Sequence, residues 1–403
     1  MAEFIGGLKF QVFNGGIALP VSNAEINLFD EEGTQLLRTL FTNEDGETDI
    51  IELPAPAEIY STEGGGRPYS SYFARISADG IGGLDIRGIQ VFPDVISIQS
   101  ADIQSGEQNF ITIPAPSLWA DDTEKIPEEE VKPLPDEDGF VVLDRVVIPE
   151  YIAVNDGVPS SGGEIFYVPF KDYIKNVASS EIYSTWEDSA ILANVLAINS
   201  FTLNRVYTEW YRSMGYNFTL TNSTAFDQSF VFGRTIFDRI SRIVDESFTT
   251  YIKRYNANQP LFAQYADGRR VSREGWLSQW GSQELAQRGY TAIEILRYYY
   301  GDDIYLEQAE TVSGVPVSYP GTELTIGSTG SAVAAIQNQL DRIGRTYYSV
   351  GRPTPDGIYG RQTAAAVSAF QGIFNLPQTG VVDLATWYQI SQVYVALEKL
   401  AEL

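Results

Sequence analysis

The stretch 114–138 constrains this chain more than any other. It carries Pro114, Pro116, Pro127, Pro133 and Pro135, with nine acids between Asp121 and Asp138. Proline fixes φ and removes a backbone donor, so neither a helix nor an inner strand runs through such a segment. Clustered like charges also repel. The segment therefore reads as an extended, solvated linker, and the chain divides into separate parts around it. Its acids fit no EF-hand spacing. For 403 residues, two to four domains are expected at roughly 100–200 residues each.

Ahead of the linker the apolar residues alternate. Leu8, Phe10 and Val12 are interleaved with Lys9, Gln11 and Phe13, and Asn14-Gly15-Gly16 then turns the chain. Ala24, Ile26 and Leu28 alternate again up to Asp30-Glu31-Glu32-Gly33, and Asn43-Glu44-Asp45-Gly46 makes another turn. Segments 72–76, 84–86 and 110–113 are further strand candidates. Short strands with Gly/Asp turns at this spacing predict a β-sandwich. Through Pro20-Val21, Ala24, Ile26, Leu28 and Thr42-Asn43-Glu44-Asp45-Gly46, residues 1–113 resemble the carboxypeptidase-regulatory or transthyretin-like sandwiches.

Behind the linker (114–139), strand-like content returns at 140–143 and 146–148, and the chain then mixes helices with short strands. A helix is expected over 188–214, capped by Asp188 or Ser189 and ended by Gly215. Ile191, Val195, Ile198, Leu203 and Val206 line its apolar face. Other helices are expected over 233–255, from Ser282, and over 291–300. A second linker reads at 311–322, with no tandem repeat in view. The fold class is thus multidomain: an N-terminal β-sandwich, a central α+β domain over 140–310 and a small C-terminal three-helix bundle over 323–403.

The chain has no Cys and no His. Disulfides, thiol nucleophiles, Cys-type zinc sites, iron–sulfur clusters, Ser-His-Asp chemistry and axial His to haem are excluded. No metal site and no cofactor is expected. Acid–base work falls to Asp, Glu, Tyr, Lys or Arg, with a buried carboxyl the readiest candidate. The net charge of −26 is uneven: −20 over residues 1–150, −5 over 151–310 and −1 over 311–403. No basic patch on the scale nucleic acid requires is present. A weakly charged polymer suits the last two thirds. Met1-Ala-Glu-Phe-Ile-Gly-Gly lacks a basic-then-apolar signal pattern. No apolar run approaches the roughly 18 residues of a membrane span. A soluble product made in the cytoplasm is expected.

The central part carries the strongest motifs. Val168-Pro169-Phe170-Lys171-Asp172-Tyr173-Ile174 leads into Val177-Ala178-Ser179-Ser180-Glu181-Ile182, then Trp186, then the apolar run 190–203. Far downstream come Gly275-Trp276-Leu277-Ser278-Gln279-Trp280-Gly281-Ser282, Gly289-Tyr290 and Glu294 through Gly301. In this order, with Glu181 nine residues before Ala190, the segments are similar to the stage II sporulation protein D family, which includes amidase-enhancer proteins. The resemblance implies lytic transglycosylase activity on peptidoglycan, with Glu181 as the catalytic acid. The zinc ligands of some members are His and Cys, so no metal carries over. The family's helix Arg reads Asn199 here, and Arg205, one and a half turns on, is a candidate to replace it.

The residues themselves point the same way. Glu181 is flanked by Val177, Ile182, Tyr183 and Trp186, surroundings of the kind that raise a carboxyl's pKa. One carboxyl suffices for lytic transglycosylation. It protonates the leaving oxygen, then takes the proton of the muramic 6-hydroxyl as that oxygen attacks the anomeric carbon, so no second carboxylate need activate water. A lone Glu without these motifs would read as surface charge. Gln264, Tyr265, Asp267, Ser278 and Gln279 are candidates for the substrate groove, with turn and packing chemistry as the other reading. Trp276 and Trp280 suit sugar stacking and the core equally.

The C-terminal segment runs through Leu324, Gly327, Gly330-Ser331-Ala332-Val333, Ile336-Gln337, Asp356-Gly357-Ile358-Tyr359-Gly360, Thr363, Phe370-Gln371, Thr379-Gly380-Val381 and Thr386-Trp387. It looks like the three-helix peptidoglycan-binding type 1 domain, with Ser331 able to cap a helix. Together with 167–211, Gln264-Tyr265 and Asp267-Gly268, the parts resemble the SleC-type spore-cortex-lytic enzymes over nearly the whole chain. That resemblance implies a proenzyme cut near 114–155 by a subtilisin-like protease. It also implies glycan strands as substrate and the spore cortex or coat as destination. Two other readings stay open: a non-catalytic peptidoglycan-binding protein or amidase enhancer, and a phage-derived or secreted wall hydrolase.

Overall fold

The computed structural model describes residues 4–15, 19–103, 108–119 and 145–401. The chain forms two compact units, and neither is a contiguous piece of it. The first holds Met1–Pro56, Tyr69–Ile113 and Gly314–Leu403; the second holds Ala57–Pro68 and Pro114–Ser313.

The N-terminal part of the first unit is strand-rich. Its strands are β1 (Phe4–Phe13), β2 (Glu25–Phe29), β3 (Leu36–Phe41), β4 (Ile51–Ala55), β5 (Ser70–Ala78), β6 (Gly82–Val91), β7 (Ile96–Asp102) and β8 (Gln108–Thr112). β1 pairs antiparallel with β4 and parallel with β7. The other sheet runs β3-β2-β5-β6-β8. The expected strands at 72–76, 84–86 and 110–113 fall in β5, β6 and β8. Leu8, Phe10, Val12, Ile26, Leu28, Ile76 and Ile86 are all fully buried, each such side chain stabilising the fold by roughly 1.5–3 kcal/mol. β1 is buried on its other face as well, where Lys9, Gln11 and Phe13 lie.

The second unit begins with α1 (Ile59–Thr62), in the excursion between β4 and β5. It continues with β9 (Val147–Ile148), β10 (Tyr151–Asn155), β11 (Ile165–Pro169), α2 (Phe170–Glu181), α3 (Asp188–Tyr207), α4 (Trp210–Ser213), β12 (Leu220–Thr221) and β13 (Ile236–Phe237). Then come α5 (Asp238–Ser247), β14 (Thr250–Arg254), β15 (Tyr265–Ala266), β16 (Leu277–Ser278), α6 (Gln279–Gln287), α7 (Ala292–Tyr300), β17 (Ile304–Gln308) and β18 (Thr311–Val312). α3 is the axis: α2, α5, α6, α7 and β14 all pack on it. Its near-total burial marks a core helix.

Several elements depart from the sequence expectation. The helix expected over 188–214 stops at Tyr207, because Glu209 takes a left-handed conformation (φ 44°) and α4 starts anew. Asp188 does not cap α3; it pairs with Arg239 and Arg242 instead. The expected helix over 233–255 is β13-α5-β14. Phe237 is extended, and Thr250–Arg254 pair antiparallel with β17, so tertiary pairing overrides the helical period. α6 begins at Gln279 rather than Ser282, because the Ser278 hydroxyl accepts the Gly281 N–H at 2.9 Å. Segment 140–143 lies outside the described residues. The linker expected over 114–139 is described only through Trp119, and β18 occupies the start of the one at 311–322.

The C-terminal part of the first unit is three helices packed together: α8 (Ser331–Ile343), α9 (Arg361–Ile373) and α10 (Leu384–Ala401). Ser331 is the first residue of α8 and Gly330 holds the cap position at φ 117°, so the serine does not cap. Two buried glutamines play matching roles. Gln337 accepts the Gly357 N–H and donates to Ile358 O and Thr363 Oγ1. Gln371 accepts the Gly380 N–H and donates to Val381 O and Thr386 Oγ1. The module thus repeats one helix-to-loop lock, a repeat too degenerate to see in the residues alone.

Candidate functional site

Tyr173, Val177 and Glu181 recur every fourth residue and so share one stripe of α2. That stripe faces the loop 227–231. The Tyr173 hydroxyl donates to Gln228 Oε1 at 2.9 Å, and Thr202 of α3 donates to the same oxygen at 2.8 Å. Asn176 bonds Val231 in both directions, at 2.7 and 2.9 Å. The loop is thereby set in register, and the Ser229 N–H donates to Glu181 Oε1 at 2.7 Å.

Glu181 is the last residue of α2, only 2% exposed. A helix C-terminus is the end where negative charge is least favoured. Its second oxygen receives the Gln279 side-chain amide at 3.3 Å. The buried Tyr265 phenol lies near it: burial first, then the Glu181 charge, push that phenol far above its ordinary value. Gln279 and Tyr265 arrive together because β15 and β16 pair in parallel, Tyr265 opposite Leu277. Gly268 permits the approach. It sits at φ 84°, and a Cβ there would stand 1.7 Å from Ser278 Oγ.

The fold therefore brings three of the sequence candidates together: Glu181, Tyr265 and Gln279. The others lie differently. The Gln264 carbonyl accepts the Tyr300 hydroxyl at 2.8 Å. Asp267 holds its own turn, accepting the Arg270 and Val271 N–H groups and the Arg270 guanidinium. Burial pulls this carboxyl up, but those donors outweigh it and hold it below its ordinary value. Ser278 caps α6. Trp276 is half-buried under the Arg273 guanidinium. Trp280 is core-like, packed with Tyr183 and Trp186 at centroid distances of 5.9 and 5.3 Å. Arg205 is buried in a pocket wall, paired with Asp227 at 3.3 Å and stacked on Phe262. Asn199, where the resemblance places an Arg, donates to Phe248 O and Thr250 O and so ties α3 to β14.

Two segments that sequence reading did not connect to Glu181 lie beside it. The Ser117 N–H donates to Ser180 O at 2.9 Å, one residue before Glu181. Arg234 holds Ser179 O and Pro114 O together, and Arg270 reaches Ser117 O at 2.6 Å. From α1, Ser61 is fully buried. Its hydroxyl accepts from Thr185 at 2.7 Å and its carbonyl from the Trp186 indole at 2.8 Å. Arg269 lies flat on Trp280 and donates to Glu63 O. Neither Ser229 nor Ser61 stands in any periodic pattern, so only long-range packing reveals them.

Residues 329–390 match the family model described as "Putative peptidoglycan binding domain". No curated protein matches the chain. Among solved structures, a catechol 1,2-dioxygenase from Acinetobacter sp. ADP1, inhibited by bound mercury, is similar at 14% identity over 26% of this chain and 54% of that one. The chain thus spans about half the length of that structure, and its TM-score is 0.19; a likeness of that size says nothing about fold or activity. The C-terminal module is a peptidoglycan-binding domain, and peptidoglycan is the partner it points to. No helix among the described residues is long and apolar enough to cross a membrane.

Proposed function

We propose that the protein is a lytic transglycosylase of peptidoglycan, made as a proenzyme, with Glu181 as general acid and base. The observation that carries this reading is the Glu181 site itself: a carboxyl buried among a backbone N–H, an amide and a phenol, in a chain with a peptidoglycan-binding domain. Glu181 protonates the glycosidic oxygen as the bond to the muramic C1 breaks. The 6-hydroxyl of the same muramic residue then attacks C1 and gives its proton to the Glu181 carboxylate. The product is a 1,6-anhydromuramoyl end and a free 4-hydroxyl on the departing sugar. Ser229 N–H and Gln279 hold the carboxyl in place through both steps.

The proenzyme reading draws support from α1 and residues 114–119, which lie against Trp186, Ser180 and Arg270. Cutting between 119 and 145 by a subtilisin-like protease frees the chain that ends in this anchor. Synthesis in the cytoplasm and action on spore cortex complete the reading. A second reading, a non-catalytic binding protein or amidase enhancer, is favoured by Asn199, which is spent on β14 where the family's Arg would stand.

Purified cortex peptidoglycan, incubated with the intact chain, the chain cut in 120–144 and the cut Glu181→Gln variant, separates the two by mass spectrometry. Anhydromuramoyl ends from the cut parent alone support the proposal. Full activity of the intact chain removes the proenzyme part. No product, with retained binding, moves the assignment to the second reading.

A further inference from the structure

We infer that the outer face of β1 is a docking surface for the C-terminal peptidoglycan-binding module, which it holds even when the chain between them is cut. A surface strand of this composition should show its polar face to water. Instead Lys9 and Gln11 are 9% and 7% exposed. The Lys9 ammonium donates to Asn375 Oδ1 at 3.2 Å, and the Gln11 amide donates to Ile373 O at 2.9 Å. Both acceptors belong to the end of α9 and its following turn. Asn375 is left-handed there, at φ 58°.

The platform is organised from its own side. Glu47 pairs with Lys9 at 2.5 Å and accepts from Gln11 at 2.8 Å, so both donors are held in place. Asp45, 3% exposed, stands in the same turn. Across from it Tyr347 is fully buried, and burial first, then the charges of Asp45 and Glu47, raise its phenol above its ordinary value. Tyr347 also packs on Phe374 at 5.2 Å. A buried charge pair needs every partner satisfied, so such a face is matched to one cover. While docked, the 373–375 corner of the module is closed to other ligands. The occasion for a cut comes from the proenzyme reading; the contact does not depend on it.

The full chain, carrying an N-terminal affinity tag and engineered protease sites in 120–144 and at 313–316, is cut into three pieces and captured by the tag. The module piece should be retained in near-equal amount with the tagged piece. Asn375→Gly, which the left-handed backbone accepts, should lower retention about tenfold. Lys9→Met with Glu47→Gln, which keeps the volume and removes the pair, should lower it similarly. Circular dichroism of the uncut variants verifies that each folds. The inference is overturned if the parent's module piece washes through, or if all three chains retain it equally. Since no outcome involves lytic activity, failure here is distinct from failure of the proposed function.

Discussion

Two buried carboxylates in the second unit, Asp227 and Glu181, differ in how they are held. Asp227 meets the Arg205 guanidinium, the Tyr211 hydroxyl, and both the N–H and hydroxyl of Thr221. Glu181 reaches the same loop two residues on: it is met by the Ser229 N–H and the Gln279 amide, with the Tyr265 phenol nearby. An acid clasped by a guanidinium has its charge balanced and its lone pairs filled, which suits a structural post. Under the proposed function, the acid met by the Ser229 N–H and the Gln279 amide is the one that passes a proton. On that reading the contrast separates scaffold from chemistry more sharply than burial does, since both groups are buried.

Substitution should break the two sites in different ways. Glu181→Gln keeps the shape and one oxygen to accept the Ser229 N–H, so its main cost should fall on product formation, by about 10²–10⁴-fold, with a much smaller change in melting temperature. Asp227→Ala strands Arg205 in the pocket wall and should destabilise the second unit by about 3–5 kcal/mol, read by urea unfolding. If Glu181→Gln unfolds the protein while Asp227→Ala leaves it stable, the assignment of roles is reversed. Tyr265→Phe removes the buried hydroxyl beside Glu181. It should slow product formation by about tenfold and change stability by about 1 kcal/mol.

A third buried carboxylate sharpens the comparison through pH. Asp245 receives Lys171 at 3.1 Å and Lys175 at 2.7 Å. Burial pulls Asp245 up, but the two ammonium charges outweigh it and hold it below its ordinary value of 3.8. As pH falls past that value, the unfolded chain takes up the proton first, so the unfolded state binds more protons. The stability from this cluster is therefore complete above pH 3.8 and is lost as pH falls through the folded value. Glu47 has the opposite sign. Burial raises it above 4.5 despite Lys9, so stability falls as pH rises through the window above that value. Acid titrations of Asp245→Asn and Glu47→Gln, followed by circular dichroism, should flatten opposite limbs of the profile.

Much of the fold was legible because its signals are local. The period-two runs around Leu8 to Val12 and Ala24 to Leu28 became β1 and β2, and the helix expected over 291–300 became α7. What failed was also local in origin. The apolar period of 233–255 looks helical, yet Thr250–Arg254 found a partner in Ile304–Gln308 and became strand. Within the site, Glu181, Tyr265 and Gln279 could be named from their motifs. Ser229, Gln228 and Ser61 could not, because each acts on a group far away in the chain and through a backbone atom or small side chain that any loop could carry.

By itself the sequence determined which chemistries are closed to this chain, since without His or Cys any acid–base work falls to Asp, Glu, Tyr, Lys or Arg. It also determined where the peptidoglycan-binding module lies, over residues 329–390. Only the tertiary structure decided which carboxyl is clasped by a guanidinium and which by neutral donors. It alone decided that residues 57–68 join the second unit and that the C-terminal module joins the first. The physical reason is common to both. Composition and periodicity act over a few residues, while hydrogen-bond partners and packed faces are chosen by contacts that close only when distant segments meet.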